Sequence, residues 1–290
     1  MIKRIVDEFV LEKFAFKKTI SVNEFLDFLY IPKNLRKKLF NEKRILIEKE
    51  NVSELCEVSE LKEKDVVVFD LNGFEENDIV EYKEKKEIDI FYEDEEIILV
   101  NKPRGILVHP DGNSNQTIAN FLSYYLKEKV RSCHRIDYDT TGLVLFCKNI
   151  IAYHYINHQM ENGEIKKQYI AIVNGYLKDD EGEITYNIGS DRHHNNRYVV
   201  CKNGKSAYTK YKVLMRKNNM TKVLVDIKTG RTHQIRVHFA HINHALVGDK
   251  IYGEKSQKPL LLHSYLLGFR HPKTYKYNEY ILKEGKEFKI

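Results

Sequence analysis

Apolar positions change their period along the chain. Over residues 21–29 they fall at Val22, Phe25, Leu26 and Leu29, the spacing of one helix face, with Ser21 as the N-cap and Pro32 beyond the end. A second helix is predicted over residues 34–40, followed by strand-like pieces at 45–47 and 66–69. Asn72 and Gly73 punctuate the last of these, and residues 75–87 are charged, with few apolar positions and no period, which suits a solvated linker. Beyond it, residues 97–100 form a short apolar strand, and Thr117 caps a helix with Ile118, Phe121, Leu122 and Tyr125 on its buried side. Residues 143–147 are almost continuously apolar, as in a strand covered on both faces. Asn149 opens a helix carrying Ala152, Ile156 and Met160, and Gly163 closes it. Residues 168–173 alternate, with Tyr169, Ala171 and Val173 on one side and Ile170 and Ile172 on the other. A strand over 222–227 runs into Thr229, Gly230, Arg231 and Thr232, and Thr232 is placed to cap a helix over 234–241.

Strands and helices interleave without a regular strand–helix–strand rhythm, which predicts an α+β protein with a mixed or antiparallel central sheet flanked by helices and loops. The composition shift divides the chain into a small α+β domain over residues 1–72, a linker over 73–88 and a larger domain over 89–290.

With 42% hydrophobic and 31% charged residues the chain reads as an ordinary globular protein. Its net charge of +6 fits a polyanionic partner without demanding one. No apolar run approaches the roughly 20 residues of a membrane span, and residues 1–18 lack a signal-peptide core; the expectation is a cytoplasmic protein with no membrane partner. Cys56, Cys133, Cys147 and Cys201 form no Cys-x-x-Cys pair, and the surroundings of Cys133 and Cys147 predict buried thiols.

Three segments combine charge with a defined local frame. Asp137 precedes the turn Asp139, Thr140, Thr141, Gly142 and then a buried strand; a carboxylate there sits at the mouth of a sheet and needs a cationic or hydrogen-bonding partner to stay ionised. An Asp beside Thr and Gly is also a common turn former. Arg231 projects from a strand–helix junction, a position suited to a carboxylate or phosphate and equally open to solvent. Tyr169, after Lys167 and Gln168, suits stacking on a nucleobase or a place in the core. His233, His238, His241 and His244 raise the possibility of a metal, but the Glu of the zinc-protease pattern is absent and no open-site arrangement with a carboxylate is evident. Gly204, Lys205 and Ser206 lack the earlier glycine of a phosphate loop, Val199 standing in its place. No metal and no cofactor are expected.

Taken in order, these segments resemble the RluA family of RNA pseudouridine synthases over about residues 90–275. The resemblance begins at Tyr92 to Gly105, with Asn101, Lys102 and Pro103, and continues through Val108, His109 and Pro110. His134 to Leu143 is similar to the catalytic motif, and Lys167, Gln168 and Tyr169 to the stacking-tyrosine motif. Gly204 to Ala207 with Thr209 and Tyr211, Thr229 to Arg236 with Gly248, Asp249, Tyr252 and Gly253, and finally His263 and His271 to Thr274 complete it. Ile136 and Thr141 replace a more frequent Leu and Ser. The helix pair before the linker, with Arg36, Lys37 and Lys38, resembles the RNA-binding module first seen in small-subunit ribosomal protein four, although Asn41 to Arg44 stand where its turn usually has glycine.

The resemblance implies a cofactor-independent isomerase acting on uridines of structured RNA, ribosomal RNA of the large subunit first and transfer RNA second; a monomer is expected. It implies that Asp137 is the catalytic carboxylate, that Arg231 pairs with it, that Tyr169 stacks on the flipped uracil and that Arg135 enters the RNA stack. Arg36, Lys37 and Lys38, with Arg192 and Arg197 of a second basic loop, are the expected phosphate contacts. The rival reading is a non-catalytic RNA-binding or ribosome-assembly factor on the same fold.

Overall fold

The computed structural model describes residues 1–15, 17–49, 52–55, 60–73, 87–112, 114, 116–254 and 257–290. Most of the expected linker lies outside the described residues. Before it come β1 (Ile2–Ile5), α1 (Glu8–Glu12), β2 (Ile20–Ser21), α2 (Val22–Phe28), α3 (Lys33–Asn41), β3 (Ile45–Lys49), β4 (Val52–Leu55), β5 (Glu60–Leu61) and β6 (Val66–Phe69). After it come β7 (Ile90–Glu93), β8 (Ile97–Lys102), α4 (Ile118–Leu126), β9 (Arg131–Ser132), β10 (Thr141–Cys147), α5 (Ile150–Glu161) and β11 (Lys166–Asn174). The chain ends with β12 (Glu181–Ile184), β13 (Ile188–Ser190), β14 (Tyr198–Val200), β15 (Thr209–Lys217), β16 (Met220–Ile227), α6 (Gln234–His241), β17 (Leu262–Arg270) and β18 (Tyr277–Ile281).

Local chemistry explains most boundaries. Ser21 Oγ accepts the Glu24 N–H while the Glu24 carboxylate accepts the Ser21 N–H, a capping box that starts α2. Thr117 and Asn149 cap α4 and α5 in the same manner, each side chain accepting a backbone N–H three residues on. In the turn after α3, Lys43 takes the left-handed backbone (φ 54°) that glycine adopts more readily. Cys133 and Cys147 are buried as expected. Tyr125 departs from expectation: it is 53% exposed, because α4 is short and its buried face is filled by Ile118, Phe121 and Leu122.

The small unit is an antiparallel sheet in the order β1-β6-β3-β4 with α2 and α3. Its core is not its own alone. Val10, Phe25, Phe28 and Leu29 pack in one cluster with Ile151, Tyr155 and Tyr275 of the larger unit. Beside that cluster the buried Arg4 guanidinium meets the buried Glu96 carboxylate in two parallel bonds of 2.8 and 2.6 Å, and Asn149 Nδ2 donates to the same carboxylate.

The larger unit is a ten-stranded mixed sheet in the order β12-β15-β16-β11-β17-β10-β8-β7, with β18 on β17 and β9 on β10. One pairing among these is parallel, β10 against β17, with Thr141 opposite His263 and Gly142 opposite Ser264. There a Cβ on Gly142 (φ 105°) would stand 2.4 Å from the Ser264 carbonyl oxygen, so only glycine allows the approach. Two antiparallel halves are joined at that point. Both β10 and β11 are buried on two faces, with Val144 and Phe146 on one side of β10 and Leu143 and Leu145 on the other.

Candidate active site

Asp137 lies in the loop from β9 into β10, and the loop is tied at several points. The Leu145 N–H donates to His134 Nε2 (3.1 Å), which requires a lone pair there; burial, with the charge of Lys167, pushes the His134 pKa down to about 3. The Thr140 N–H closes a turn on the Asp137 carbonyl. Beneath the loop, the fully buried Lys102 donates to the carbonyls of Pro103, Ile106 and Tyr138 at 2.9, 2.9 and 3.0 Å. The Gly105 N–H reaches the same Tyr138 carbonyl. Burial lowers the Lys102 pKa to about 8 against the opposing charges of Asp137 and Asp139.

Across the cleft, Arg236 projects from α6. Its Nε and Nη2 bind Asp249 at 2.8 and 2.9 Å, and its Nη1 donates to Asp137 Oδ2 at 3.1 Å. Burial opposes the charge of Arg236, but the hydrogen bonds and charge of Asp249, then those of Asp137, outweigh it and hold the guanidinium above its ordinary pKa. Asp249 is likewise disfavoured by burial and more than compensated by Arg236 and the N–H groups of Ile251 and Tyr252, which keeps its pKa low. One cation thus serves two carboxylates, with two bonds on Asp249 and one on Asp137. Among the described residues no hydrogen bond reaches Asp137 Oδ1, and the side chain is 23% exposed.

Tyr169 forms a wall of the same cleft. It pairs with Ser264 across β11 and β17, and Ser264 pairs with Gly142 across β17 and β10; the sheet therefore fixes its distance from the Asp137 loop. It is 6% exposed, and burial, with the negative charge of Asp137, raises its pKa. Arg135, Thr140, Arg231 and His233 are among the other residues that line it. A larger open hollow beside Tyr92, Asp94, Lys148 and His271 lies elsewhere. Its charges are spent on one another, Lys148 on Glu93 and His271 on Asp94.

Residues 96–241 match the RNA pseudouridylate synthase family. The chain belongs to that family. It is 37% identical over 209 residues to the uncharacterised RNA pseudouridine synthase YlyB of Bacillus subtilis, covering 68% of this chain and 69% of that one. It is 39% identical over 196 residues to the ribosomal large subunit pseudouridine synthase D of Borreliella burgdorferi, covering 62% of this chain and 60% of the relative. The fold is shared with the human RNA pseudouridylate synthase domain containing 1, at a TM-score of 0.61 and 24% identity over 71% of this chain and 86% of that one. The protein is an RNA pseudouridine synthase, an isomerase of the α+β pseudouridine synthase fold.

Within this synthase the structure redistributes the expected residues. Asp137, Tyr169 and Arg135 share the cleft. Arg231 lines it too but does not pair with Asp137: its Nε donates to the Ser206 carbonyl (2.9 Å) and the side chain is exposed at the rim. The partner of Asp137 is Arg236. Nor does Thr232 cap α6; the N-cap is His233, in left-handed backbone and with no side-chain cap bond. The turn is held instead by Gln234, whose Oε1 accepts from Thr229 Oγ1 and the Arg231 N–H. On α3, Arg36 binds the Ile31 carbonyl and Asp27, and Lys37 and Lys38 lie on the exposed face. Arg192 is exposed, and Arg197 lies between Asp191 and the Tyr252 ring. His238 is tied to Thr209 and the Tyr186 carbonyl, and His244 to the Asn174 carbonyl. Reading the motifs alone misses the roles of Arg236, Asp249 and Lys102. Nothing in the spacing singles out Arg236; the fold buries Gln234 to Phe239, and a cation buried there must meet a buried anion.

Proposed function

We propose that this synthase isomerises specific uridines of structured RNA with Asp137 as the catalytic carboxylate, the large-subunit ribosomal RNA being the first substrate class and transfer RNA the second. The observation that carries the reading is the Asp137 carboxylate, held on one oxygen by Arg236 and open on the other, beside the buried Tyr169 ring. The relative named for the large ribosomal subunit supports the choice of RNA.

The reaction breaks the bond from ribose C1′ to uracil N1 and forms one from C1′ to C5. N1 gains a proton and C5 loses one, so no redox partner or group donor enters the balance. An ionised carboxylate serves it by attack on the base or the sugar carbon, or by stabilising positive charge as the base departs. Arg236 holds that carboxylate by one charge-assisted hydrogen bond to Oδ2. The cleft, ≈ 70 Å³, is far below the ~300 Å³ or more of usual ligand pockets; it has no room for a stacked strand, so a target base must leave its helix to reach it. In this reading Tyr169 stacks on that base, Arg231 meets its flanking phosphate and Arg135 fills the gap it leaves; their common position in the cleft lining supports it. The small domain, residues 1–72, is read as an RNA-binding appendage presenting Lys37 and Lys38, with Arg192 and Arg197 of the hairpin loop as further phosphate contacts.

The test is pseudouridine mapping of total RNA with and without the gene. The expected result is loss of the modification at defined uridines of the large-subunit RNA. An unchanged map, together with no turnover by the purified protein on those RNAs, would overturn the reading.

A further inference from the structure

His233 stands where α6 begins, in left-handed backbone (φ 56°) with no capping bond to repay it. A side chain in that conformation is strained, and such strain clusters at functional sites. The ring is fixed on three sides. Tyr198 and Tyr252 pack against it edge-on at 5.7 and 5.6 Å, and Nδ1 lies 2.9 Å from the Tyr252 hydroxyl. The remaining nitrogen, Nε2, stands 3.8 Å from Asp137 Oδ2, the oxygen that Arg236 also binds.

Those contacts select a tautomer. The Tyr252 oxygen accepts the Tyr198 backbone N–H (2.9 Å), leaving its own hydrogen to be aimed. If Nδ1 carried the ring proton, the Nε2 lone pair would face a carboxylate and repel it. If Tyr252 donates to Nδ1, Nε2–H faces Asp137 and attracts it. The second arrangement pairs the Tyr252 hydroxyl with Nδ1 and turns Nε2–H toward the carboxylate. Burial also lowers the His233 pKa, against the charge of Asp137, so the neutral ring is the favoured form.

Resting on the proposed role of Asp137, we infer that His233 is a positioning residue whose Nε2–H, oriented by Tyr252, holds Asp137 Oδ2 together with Arg236 and so presents Oδ1 to the substrate. At 3.8 Å the contact is too long for a hydrogen bond; it shortens when the flipped base displaces water from the cleft.

His233→Gly tests this directly, because glycine adopts φ 56° without strain and removes only the ring. Single-turnover rates on the RNA substrate should fall about 100-fold, with KM within about twofold and partial recovery on adding free imidazole. Tyr252→Phe should lower the rate in the same direction, and the double variant should be no worse than His233→Gly. A glycine variant as fast as wild type, or one altered only in KM, overturns the inference. A second measurement needs no turnover. In ¹⁵N-histidine NMR, the resonances missing from His233→Gly should report Nε2–H in the wild type and shift in Asp137→Asn; an Nδ1–H tautomer overturns the inference. If the wild-type protein modified no RNA, the proposed function would fail while the NMR still decided the contact between His233 and Asp137.

Discussion

Arg236 reaches Asp137 with a single nitrogen, Nη1 to Oδ2 at 3.1 Å, while its other edge is committed to Asp249 in two bonds. The side chain of Asp249 is wholly buried, so the Arg236–Asp249 pair anchors the cation and Asp137 borrows it. Arg231, by contrast, sits at the rim on the Ser206 carbonyl.

The two arginines should therefore fail differently. Arg236→Ala leaves Asp249 buried without a counter-charge, which costs about 3–5 kcal/mol of stability and abolishes turnover. Arg236→Lys should keep the fold and still lose most of the rate, since one compact ammonium lacks the planar fork that grips Asp249 with two nitrogens and reaches Asp137 with a third. Arg231→Ala should act mainly on KM. Urea unfolding with single-turnover kinetics checks all three; a larger rate loss in Arg231→Ala than in Arg236→Lys would return Arg231 to the side of Asp137.

Asp137→Asn preserves shape and removes charge. Isomerisation should disappear while RNA affinity, measured by filter binding, stays within a few-fold. Substantial residual turnover would remove Asp137 from the catalytic role.

Lys102 gives a stability signature in pH. Its folded pKa, about 8, lies below the unfolded value of 10.5, so between those limits the unfolded chain binds more protons and stability rises with pH. Below pH 8 the burial penalty is fully present. Measured against the non-titrating Lys102→Met, wild-type stability should gain about 2 kcal/mol between pH 7 and 10. A gap independent of pH would mean that the ammonium is not buried as described. Loss of the ammonium should also loosen the Tyr138 carbonyl, because a neutral amine has two N–H groups for three acceptors.

At the junction of the two units, Arg4→Ala strands the buried Glu96 carboxylate and should cost about 3–5 kcal/mol. Because the small unit shares its core with Tyr155 and Tyr275, deleting residues 1–72 should lower the melting temperature of the remainder. Equal stability of the shortened and full chains would show two independent units.

RNA contacts should be readable in salt. Lys37→Ala and Arg192→Ala should each lower the slope of log affinity against log salt by about 1. Arg36→Ala should instead destabilise the α2–α3 turn, where its guanidinium binds the Ile31 carbonyl and Asp27. An unchanged slope in Lys37→Ala would take α3 off the RNA.

What the sequence determined by itself is what short-range physics controls. Ser21, Thr117 and Asn149 mark helix starts because a side chain three residues back is the nearest acceptor for an orphan N–H. A nearly unbroken apolar run marks β10 as covered on both faces, and the order of the motifs carries the family. Tertiary structure alone decided which arginine supports Asp137. Arg231 and Arg236 lie in one segment, and no spacing rule separates them, since the left-handed turn at His233 re-aims the chain between them. Arg236 wins because α6 docks with it facing both Asp249 and the Asp137 loop. The Arg4–Glu96 bridge was hidden for the same reason: ion pairs between distant segments depend on how elements pack, and local propensity carries no record of that.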